Sequence, residues 1–423
     1  MYVAELDRPW IDTPFLFQGF VIENDEQVGQ LQEYCKFVLV DSLRSTQAGQ
    51  AAIAAYVNKA QSGMQDSAEQ ESASDFDRYA SAFDESNVNT VRPAFIPDDI
   101  VITTYRDVSS VEAELAPAEE AYARTGEILH ELMQDIQSGK ELAIQEVETA
   151  AQDVVDSIVR NPDALMLIAR LRHENEVIYG HGLNVAIYLV ALGRHLGLPK
   201  DLLERLGVLG LLLDIGKIKL PRELLLKNDQ LTSEEFEMIK AHVNHSLDIL
   251  GETPNLHPEI VQGIAQHHER ENGSGYPAGL SKGSISLFGR MAAIADTFSA
   301  LTNPRPYAEA APPYEALHAM SNWGDEFYHG PMVEQFIHAI GVFPVGSMVE
   351  LSSGEVAVVI SHSKVRRLKP RVLIISGPDK SPLQHPATRD LLYQAETHEP
   401  PLSILRGLPS GAYGLDAREY YLA

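Results

Sequence analysis

The chain has 423 residues, of which 44% are hydrophobic, so it is long enough for two or three domains that each bury a core. Its formal net charge of −27 argues against sequence-independent binding to nucleic acid or anionic lipid, because such binding depends on dense lysine and arginine. The single cysteine, Cys35, excludes an intrachain disulfide framework and is typical of a reducing compartment.

The N-terminal part of the sequence predicts a small β-rich domain over residues 1–100. Its short apolar runs, separated by Pro and Gly, indicate strands around a brief helix. Residues 42–92 are rich in Ala, Gln, Ser and acids, which bury little apolar surface, and they predict a flexible excursion within this domain. Apolar residues spaced with a period of about 3.6 then predict a helical connector over residues 101–150.

Residues 151–335 are predicted to form an all-α domain, because apolar segments such as LNVAIYLVALGRHLGL and LLERLGVLGLLLDIG recur there. After Phe343 the pattern changes to β-branched runs such as EVAVVIS and RVLIIS, separated by Gly, Ser and Pro. These runs predict a small C-terminal β module and tail over residues 340–423. The expected fold class is therefore mainly α, with an all-α domain flanked by small β-containing modules.

Six potential metal ligands lie in the predicted helical domain: His181, Asp214, His242, His267, His268 and Asp296. Imidazole and carboxylate groups bind Mn, Fe or Zn, and one carboxylate can bridge two ions. Each residue alone has a plainer explanation, and Asp214 could simply pair with Lys217, three residues later. Their joint occurrence favours a metal-binding phosphodiester site, since bound cations would let this acidic chain accept a phosphate-bearing substrate.

Two sequence segments next to these residues are suited to holding a substrate. The histidine pair precedes ERENGSGYPAGL, whose three glycines and proline predict a tight loop able to approach a ligand closely. Asp296 lies in ADTFSALTNPRPY, and Arg305 follows it by nine residues in a position suited to contacting a phosphate.

The paired histidines, NGSGYPAGL and ADTFSALTNPRPY resemble the HD-GYP family, a branch of the HD phosphohydrolases, in order and spacing over residues 150–330. The segment MYVAELDRPWIDTPFLFQGF is similar to a small domain of unknown function often found ahead of HD-GYP domains. The resemblance implies an all-α HD-type fold. It also implies cleavage of cyclic di-GMP to the linear dinucleotide or to GMP, with two or three iron or manganese ions.

The resemblance also assigns a role to each matching residue. It makes the six residues above the metal ligands, with Asp214 bridging two ions whose shared hydroxide is the nucleophile. Lys217 would stabilise the phosphate or the leaving group. The Gly275, Tyr276 and Pro277 loop would shape the substrate pocket, and Arg305 would contact a phosphate.

Three positions depart from the family pattern. Leu213 replaces the name-giving histidine before the metal aspartate, and Asn272 replaces an aspartate of the loop. Ala308 stands where a basic residue often follows the Arg-Pro-Tyr triplet in the family. On the resemblance, the loss at Leu213 leaves one metal site complete, with the ligands Asp214, His242, His267 and His268. The other site is reduced to His181, Asp214 and Asp296, and loss of a ligand weakens metal binding.

Two functions of different class therefore stay open. The first is a cyclic di-GMP phosphodiesterase with one weakened metal site, and the second is a noncatalytic cyclic di-GMP sensor that signals through its flanking domains. A third reading, a structural dimerisation unit, would bind neither metal nor nucleotide. The sequence leaves homodimerisation open and makes the N-terminal domain the expected contact for a protein partner.

The sequence also predicts where the protein acts. It has neither a signal-peptide pattern nor an apolar run of about 18 residues, which is the length needed for a spanning helix. We therefore expect a cytoplasmic protein that contacts neither membrane nor nucleic acid.

Overall fold

The structure is a computed structural model. It describes residues 1–6, 13–14, 20–22, 24–36, 38–41, 45–46, 49–50, 92–172, 179–227, 229, 231–251, 253–254, 256–303, 310–362, 368–393 and 401–420. The predicted excursion at 42–92 lies outside the described residues except at 45–46, 49–50 and 92, and Arg305 and Ala308 lie outside them as well. The chain divides into two compact units, of which the first comprises Met1–Ala82, Pro221–Met238 and Pro304–Glu309, and the second comprises Phe83–Leu220, Ile239–Asn303 and Ala310–Ala423.

The described residues form helices and strands in the following order. The helices are α1 (Asp25–Tyr34), α2 (Val111–Gln137), α3 (Ile144–Arg160), α4 (Pro162–Leu171), α5 (Tyr179–His195), α6 (Lys200–Leu212), α7 (Arg222–Leu225), α8 (Ser233–Lys240), α9 (His242–Gly251), α10 (Pro258–Gln266), α11 (Leu287–Thr302), α12 (Pro313–Asn322) and α13 (Gly330–Ile340). The strands are β1 (Tyr2–Leu6), β2 (Phe20–Val21), β3 (Val38–Asp41), β4 (Met348–Leu351), β5 (Val356–Ser361), β6 (Arg371–Ser376), β7 (Pro382–Asp390) and β8 (Ile404–Leu408). A short 3-10 helix, Ile215–Lys219, follows α6.

The first unit contains a small antiparallel sheet with the strand order β2-β1-β3. Helix α1 begins at the cap residue Asn24, whose side chain accepts a hydrogen bond from the amide of Gln27 and so satisfies a free donor of the first turn. The buried side chains Val3, Leu6 and Leu31 form a core between sheet and helix. The predicted strands and brief helix of this segment are therefore present.

The second unit is mainly helical, and its helices bury apolar faces against one another. Helix α5 packs against α6, α11 and α13, while α3 packs against α2 and α6. Helix α11 is buried along almost its whole length, because its sequence LFGRMAAIADTFSALT has apolar or small residues on every side. A helix buried all round is a rigid support for any polar side chain that it presents to a neighbour.

The same unit ends in a five-stranded antiparallel sheet with the order β7-β6-β5-β4-β8. Its central strand β5 is buried at every position, in agreement with the continuous β-branched run in the sequence. The predicted fold class is thus confirmed. The exact domain boundaries stay predictions, and no helix among the described residues is long and apolar enough to cross a membrane.

Candidate metal centre

The predicted ligands converge on one buried point between helices of the second unit. They lie at the start of α5, between α6 and the 3-10 helix, at the start of α9, directly after α10 and in the interior of α11, namely His181, Asp214, His242, His267, His268 and Asp296. All of them are buried except His181, which is partly accessible. Buried imidazoles and carboxylates are costly unless paired or bound to a metal ion, so their concentration here points to a ligand site.

A close backbone approach brings two of these ligands together. The 3-10 helix after Asp214 packs on the start of α9, and Gly216 lies at the contact. A Cβ atom at Gly216 would lie 2.0 Å from the carbonyl oxygen of His242 and 2.3 Å from the amide nitrogen of Ser246. Only glycine fits this position, and its small size lets Asp214 reach His242.

The first set of ligands consists of Asp214, His242, His267 and His268, whose potential ligand atoms lie within 4.8 Å of one another. His242 Nε2 lies 3.3 Å from Asp214 Oδ1 and 3.4 Å from His267 Nε2. The rings of His267 and His268 have centroids 4.0 Å apart. Three imidazoles and one carboxylate in this spacing match the donor number of a four-coordinate metal site.

The second set consists of His181, Asp214 and Asp296, again with potential ligand atoms within 4.8 Å. His181 Nε2 lies 2.7 Å from Asp296 Oδ1 and 3.7 Å from Asp214 Oδ2. Asp214 therefore turns one oxygen toward each set. The structure brings together the same two sets that the family resemblance implied, with three ligands in the set affected by Leu213.

Unsatisfied polar atoms provide a test of whether these residues fit a metal ion. Asp214 Oδ1, Asp296 Oδ2 and His268 Nδ1 are buried and have no hydrogen-bond partner among the described residues. A buried acceptor without a partner costs about 1–3 kcal/mol, and more if it is charged. Divalent cations placed among these atoms would satisfy all three, so the donor set fits them.

Hydrogen bonds fix the orientation of two imidazoles in the first set. His242 Nδ1 lies 2.7 Å from the carbonyl oxygen of Ile239, and His267 Nδ1 lies 2.6 Å from that of Ile264. A carbonyl oxygen only accepts hydrogen bonds, so each Nδ1 carries the ring hydrogen and each Nε2 presents a lone pair to the site.

The electrostatic surroundings keep the ligands in the protonation states that metal binding needs. Burial lowers the pKa of His267 to about 4 and holds that of His268 well below its ordinary value, so both are neutral at pH 7. Burial raises the pKa of Asp214, but the positive charge of Lys217 beside its carboxylate outweighs this effect and holds the pKa well below its ordinary value. Neutral imidazole and ionised carboxylate are the metal-binding forms.

Comparison with known families agrees with this geometry. Residues 166–333 match the family model described as HD domain, and residues 1–147 match the domain of unknown function DUF3391. The chain carries an HD domain. All six ligands lie within the matched part, and the predicted resemblance is confirmed for both segments.

Several curated proteins are similar to the HD domain and its surroundings. A cyclic di-GMP phosphodiesterase of Pseudomonas aeruginosa is 37% identical over 246 residues, or 56% of this chain and 59% of its own length. One from Thermotoga maritima is 39% identical over 29% of this chain and 34% of its own length. A 3'3'-cGAMP-specific phosphodiesterase of Vibrio cholerae is 33% identical over 37% of this chain and 36% of its own length. The chain thus spans less than two thirds of the length of each of these relatives.

One solved structure was also found to be similar. An HDG"Y"P protein from Bdellovibrio bacteriovorus aligns with 55% of this chain and 74% of its own, at 19% identity and a TM-score of 0.45.

The buried histidines of the HD domain make its stability depend on pH. With metal removed by a chelator, we expect the free energy of unfolding to fall by about 2 kcal/mol between pH 8 and pH 5 from His267 alone. The unfolded chain takes up a proton near the ordinary pKa of 6.5, whereas folded His267 stays neutral until about pH 4. The contribution is therefore fully present above pH 6.5 and is lost as the pH falls. His268 acts in the same direction.

Urea unfolding at pH 8, 6.5 and 5 measures this dependence. The variant His267→Gln should show a shallower decline with pH than the unchanged chain. An equally steep decline in the variant would show that His267 is not the source.

The Gly-Tyr-Pro loop of the HD domain is fastened beside the histidine pair. The ring of Tyr276 stacks on His268, with centroids 4.6 Å apart. The buried carboxylate of Glu269 accepts hydrogen bonds from the amides of Ala278 at 2.7 Å and Leu280 at 2.8 Å. Asn272 Oδ1 accepts from the amide of Ser274 at 2.9 Å, a turn that an aspartate oxygen could equally make. The departure at Asn272 thus removes charge and keeps the turn.

Gly275 lets this loop lie against the histidine pair. A Cβ atom there would lie 2.4 Å from the carbonyl oxygen of His268 and 2.5 Å from the amide nitrogen of Arg270. We expect Gly275→Ala to lower the free energy of unfolding by about 1–3 kcal/mol and to move Tyr276 off His268. Gly283→Ala is the matched control, because a Cβ at that position would meet nothing within 4 Å. Thermal unfolding of both variants tests this, and equal midpoints would contradict it.

Three other predicted positions have different outcomes. Lys217 forms an ion pair with Asp214 Oδ2, so the plainer interpretation of this pair is compatible with Asp214 lying in the site. Leu213 is fully buried and has no ligand atom in its side chain. Arg305 lies outside the described residues, and its phosphate contact stays a prediction.

Two polar residues that contact the candidate site were not predicted from the sequence. Glu269 directly follows the histidine pair and binds the loop amides. Ser299 lies 3.1 Å from His181 Nδ1 through its hydroxyl oxygen. Its position three residues after Asp296, on the same face of α11, was the available signal.

Proposed function

We propose that the chain is a metal-dependent phosphodiesterase that hydrolyses cyclic di-GMP to the linear dinucleotide or to GMP. The observation that carries this proposal is the pair of ligand sets that share Asp214, with three buried acceptor atoms left unsatisfied. Two of the similar proteins described above are named cyclic di-GMP phosphodiesterases, which supports this choice of substrate. Iron or manganese is the proposed metal, since mixed imidazole and carboxylate sites suit both.

Residues of both ligand sets and Lys217 would contribute to phosphodiester hydrolysis in different ways. Divalent ions bound by the two sets would polarise a phosphodiester and supply an activated water at neutral pH. Asp214 keeps its negative charge through its pairing with Lys217, and would thereby hold ions of both sets near one phosphate. Lys217 is partly accessible and would offset charge on the phosphate or the leaving group.

The loop would form the wall of the substrate pocket. Tyr276 stacks on His268, and the ammonium of Lys240 lies 5.4 Å from the centroid of the Tyr276 ring. Together with Gly275 and Pro277 it would define how a nucleotide approaches the ions. Arg305 is proposed to contact a second phosphate.

A related cyclic dinucleotide is a second candidate substrate. The similarity to a 3'3'-cGAMP-specific phosphodiesterase covers 157 residues at 33% identity, close to the values for several cyclic di-GMP enzymes. The two nucleotides share the phosphodiester ring and differ in one base. The metal centre would treat them alike, so selection between them would depend on the pocket walls.

A noncatalytic sensor is the alternative from a different class. It is favoured by Leu213, which leaves only three protein ligands in the second set. Such a protein would bind the nucleotide without cleaving it and signal through its flanking domains. A protein partner at the N-terminal domain, a homodimer and a cytoplasmic location remain part of the proposal, and the single cysteine favours the last of these.

One assay separates these functions. The full chain is purified without air, loaded with Fe(II) or Mn(II), and incubated with cyclic di-GMP or 3'3'-cGAMP while products are separated by chromatography. Product from the unchanged chain that is absent with Asp214→Ala would establish a phosphodiesterase. Bound nucleotide without product would make the protein a sensor, and binding of neither metal nor nucleotide would leave only a structural role.

A further inference from the structure

The two nitrogens of His181 both face side chains of α11. Nε2 lies 2.7 Å from Asp296 Oδ1, and Nδ1 lies 3.1 Å from Ser299 Oγ. Asp296 and Ser299 are three residues apart in the helix, so they present their oxygens on one face. The orientation of this imidazole is therefore set by one helix at both ends of the ring.

Ser299 is itself held in place. Its side chain is fully buried, and Asn303 Nδ2 donates to Ser299 Oγ at 3.1 Å and to Ser299 O at 2.9 Å. Asn303 caps the C-terminal end of α11. The three side chains form a relay from His181 through Ser299 to Asn303, which we name the α11 relay.

The partner of His181 differs in kind from the partners in the other ligand set. His242 and His267 direct Nδ1 to backbone carbonyl oxygens, which only accept, so their tautomer is the same with or without metal. The hydroxyl of Ser299 can both donate and accept. It can therefore satisfy His181 Nδ1 whether or not that nitrogen carries the ring hydrogen.

This freedom matters because the two states of the site need different tautomers. Without metal, the hydrogen of the neutral ring on Nε2 donates to Asp296, and the Ser299 hydroxyl donates to Nδ1. With metal bound at Nε2, the ring hydrogen lies on Nδ1 and Ser299 accepts it. The ring keeps one hydrogen in both states, so metal release leaves no buried nitrogen unpaired. A carboxylate at position 299 would satisfy only the second state.

We propose that Ser299 is a positioning residue that makes the three-ligand set an exchangeable metal site, while the four-ligand set keeps its ion. This inference rests on the proposed metal-dependent function and specifies its regulation: activity follows the supply of divalent metal through the occupancy of the three-ligand site. Leu213 lowers the metal affinity of this site because its side chain supplies no ligand atom. The α11 relay keeps both nitrogens of His181 hydrogen-bonded when no metal is bound.

Titration of the full chain with Mn(II), followed by electron paramagnetic resonance of free Mn(II) and without any nucleotide, tests the proposal. We expect a tight and a weaker class of site, with the weaker class absent in His181→Ala. Ser299→Asp should tighten the weaker class and slow its loss of metal to a chelator by about 10-fold, and Ser299→Ala should weaken it by about 10-fold. Asn303→Ala should weaken it less.

Thr302→Val is the matched control, because Thr302 is a buried residue of the same helix whose hydroxyl donates to the carbonyl oxygen of Phe298.

Nitrogen-15 resonances of the histidine rings provide a second measurement. His181 should change from the Nε2–H to the Nδ1–H tautomer when Zn(II) binds, and should already be Nδ1–H without metal in Ser299→Asp.

Two results would overturn the inference. Two classes of Mn(II) site that are unchanged in both Ser299 variants would refute the relay and leave the proposed enzyme standing. Absence of Mn(II) binding in the unchanged chain would refute the metal-dependent function together with it.

Discussion

Asp214→Asn should abolish turnover of cyclic di-GMP and weaken metal binding in both ligand sets at once. The variant keeps the shape of the side chain and removes the charge that both sets share. Even residues that only orient metal ligands are worth about 10–100-fold in affinity, so loss of a shared ligand should lower metal-supported activity by roughly 1000-fold or more. Product formation and Mn(II) stoichiometry measure the two effects separately.

Asp248→Asn is the matched control for this experiment. Asp248 is an exposed aspartate of the neighbouring helix α9, and its replacement should change neither quantity. Circular dichroism should show that both variants fold. If Asp214→Asn retained the full number of bound ions, Asp214 would not bridge the two sets.

Leu213→His should have the largest effect in the opposite direction. Leu213 is fully buried, caps the C-terminal end of α6 and directly precedes Asp214, and the family resemblance implies an imidazole ligand at position 213. We expect the new side chain to raise the metal affinity of the three-ligand set by about 10–100-fold and to raise activity at limiting metal. Calorimetric metal titration and the rate of product formation at low Mn(II) measure these changes.

The same variant should be less stable than the unchanged chain when metal is absent. An imidazole buried without a partner costs about 1–3 kcal/mol, and metal binding should recover this loss because it stabilises only the folded state. Leu226→His adds an imidazole at an exposed position and should alter neither metal affinity nor stability. If Leu213→His lost stability without gaining metal affinity, its side chain would point away from the site.

The sequence predicted the parts of this protein that depend on pattern. Apolar periodicity predicted the helices that carry His181 and Asp296, and β-branched runs predicted the C-terminal sheet. The six potential ligands were predicted from their chemistry and their order, and the structure groups them into the two sets that the family resemblance implied. These features are visible in a sequence because each depends on residue type and spacing.

The remaining features depend on side-chain direction, which spacing does not determine. The sequence shows Ser299 as a small residue of an apolar helix, and only the structure places its hydroxyl beside His181. The position of Glu269 directly after two histidines does not indicate that its carboxylate is buried against the amides of the loop. Lys217 and Asp214 form an ion pair, and the structure places the Asp214 carboxylate within reach of both ligand sets as well.

The contact at Gly216 limits how this site can diverge by mutation. A single methyl group there would collide with the backbone at the start of α9 and push His242 away from Asp214. Leu213 stands where the family resemblance implies a ligand, and the six other potential ligands still converge around it. Gly216 cannot be replaced in the same way, since any side chain there would disturb Asp214 and His242 together. Mutation of one ligand can therefore change the metal affinity while the site keeps its shape, whereas mutation of Gly216 cannot.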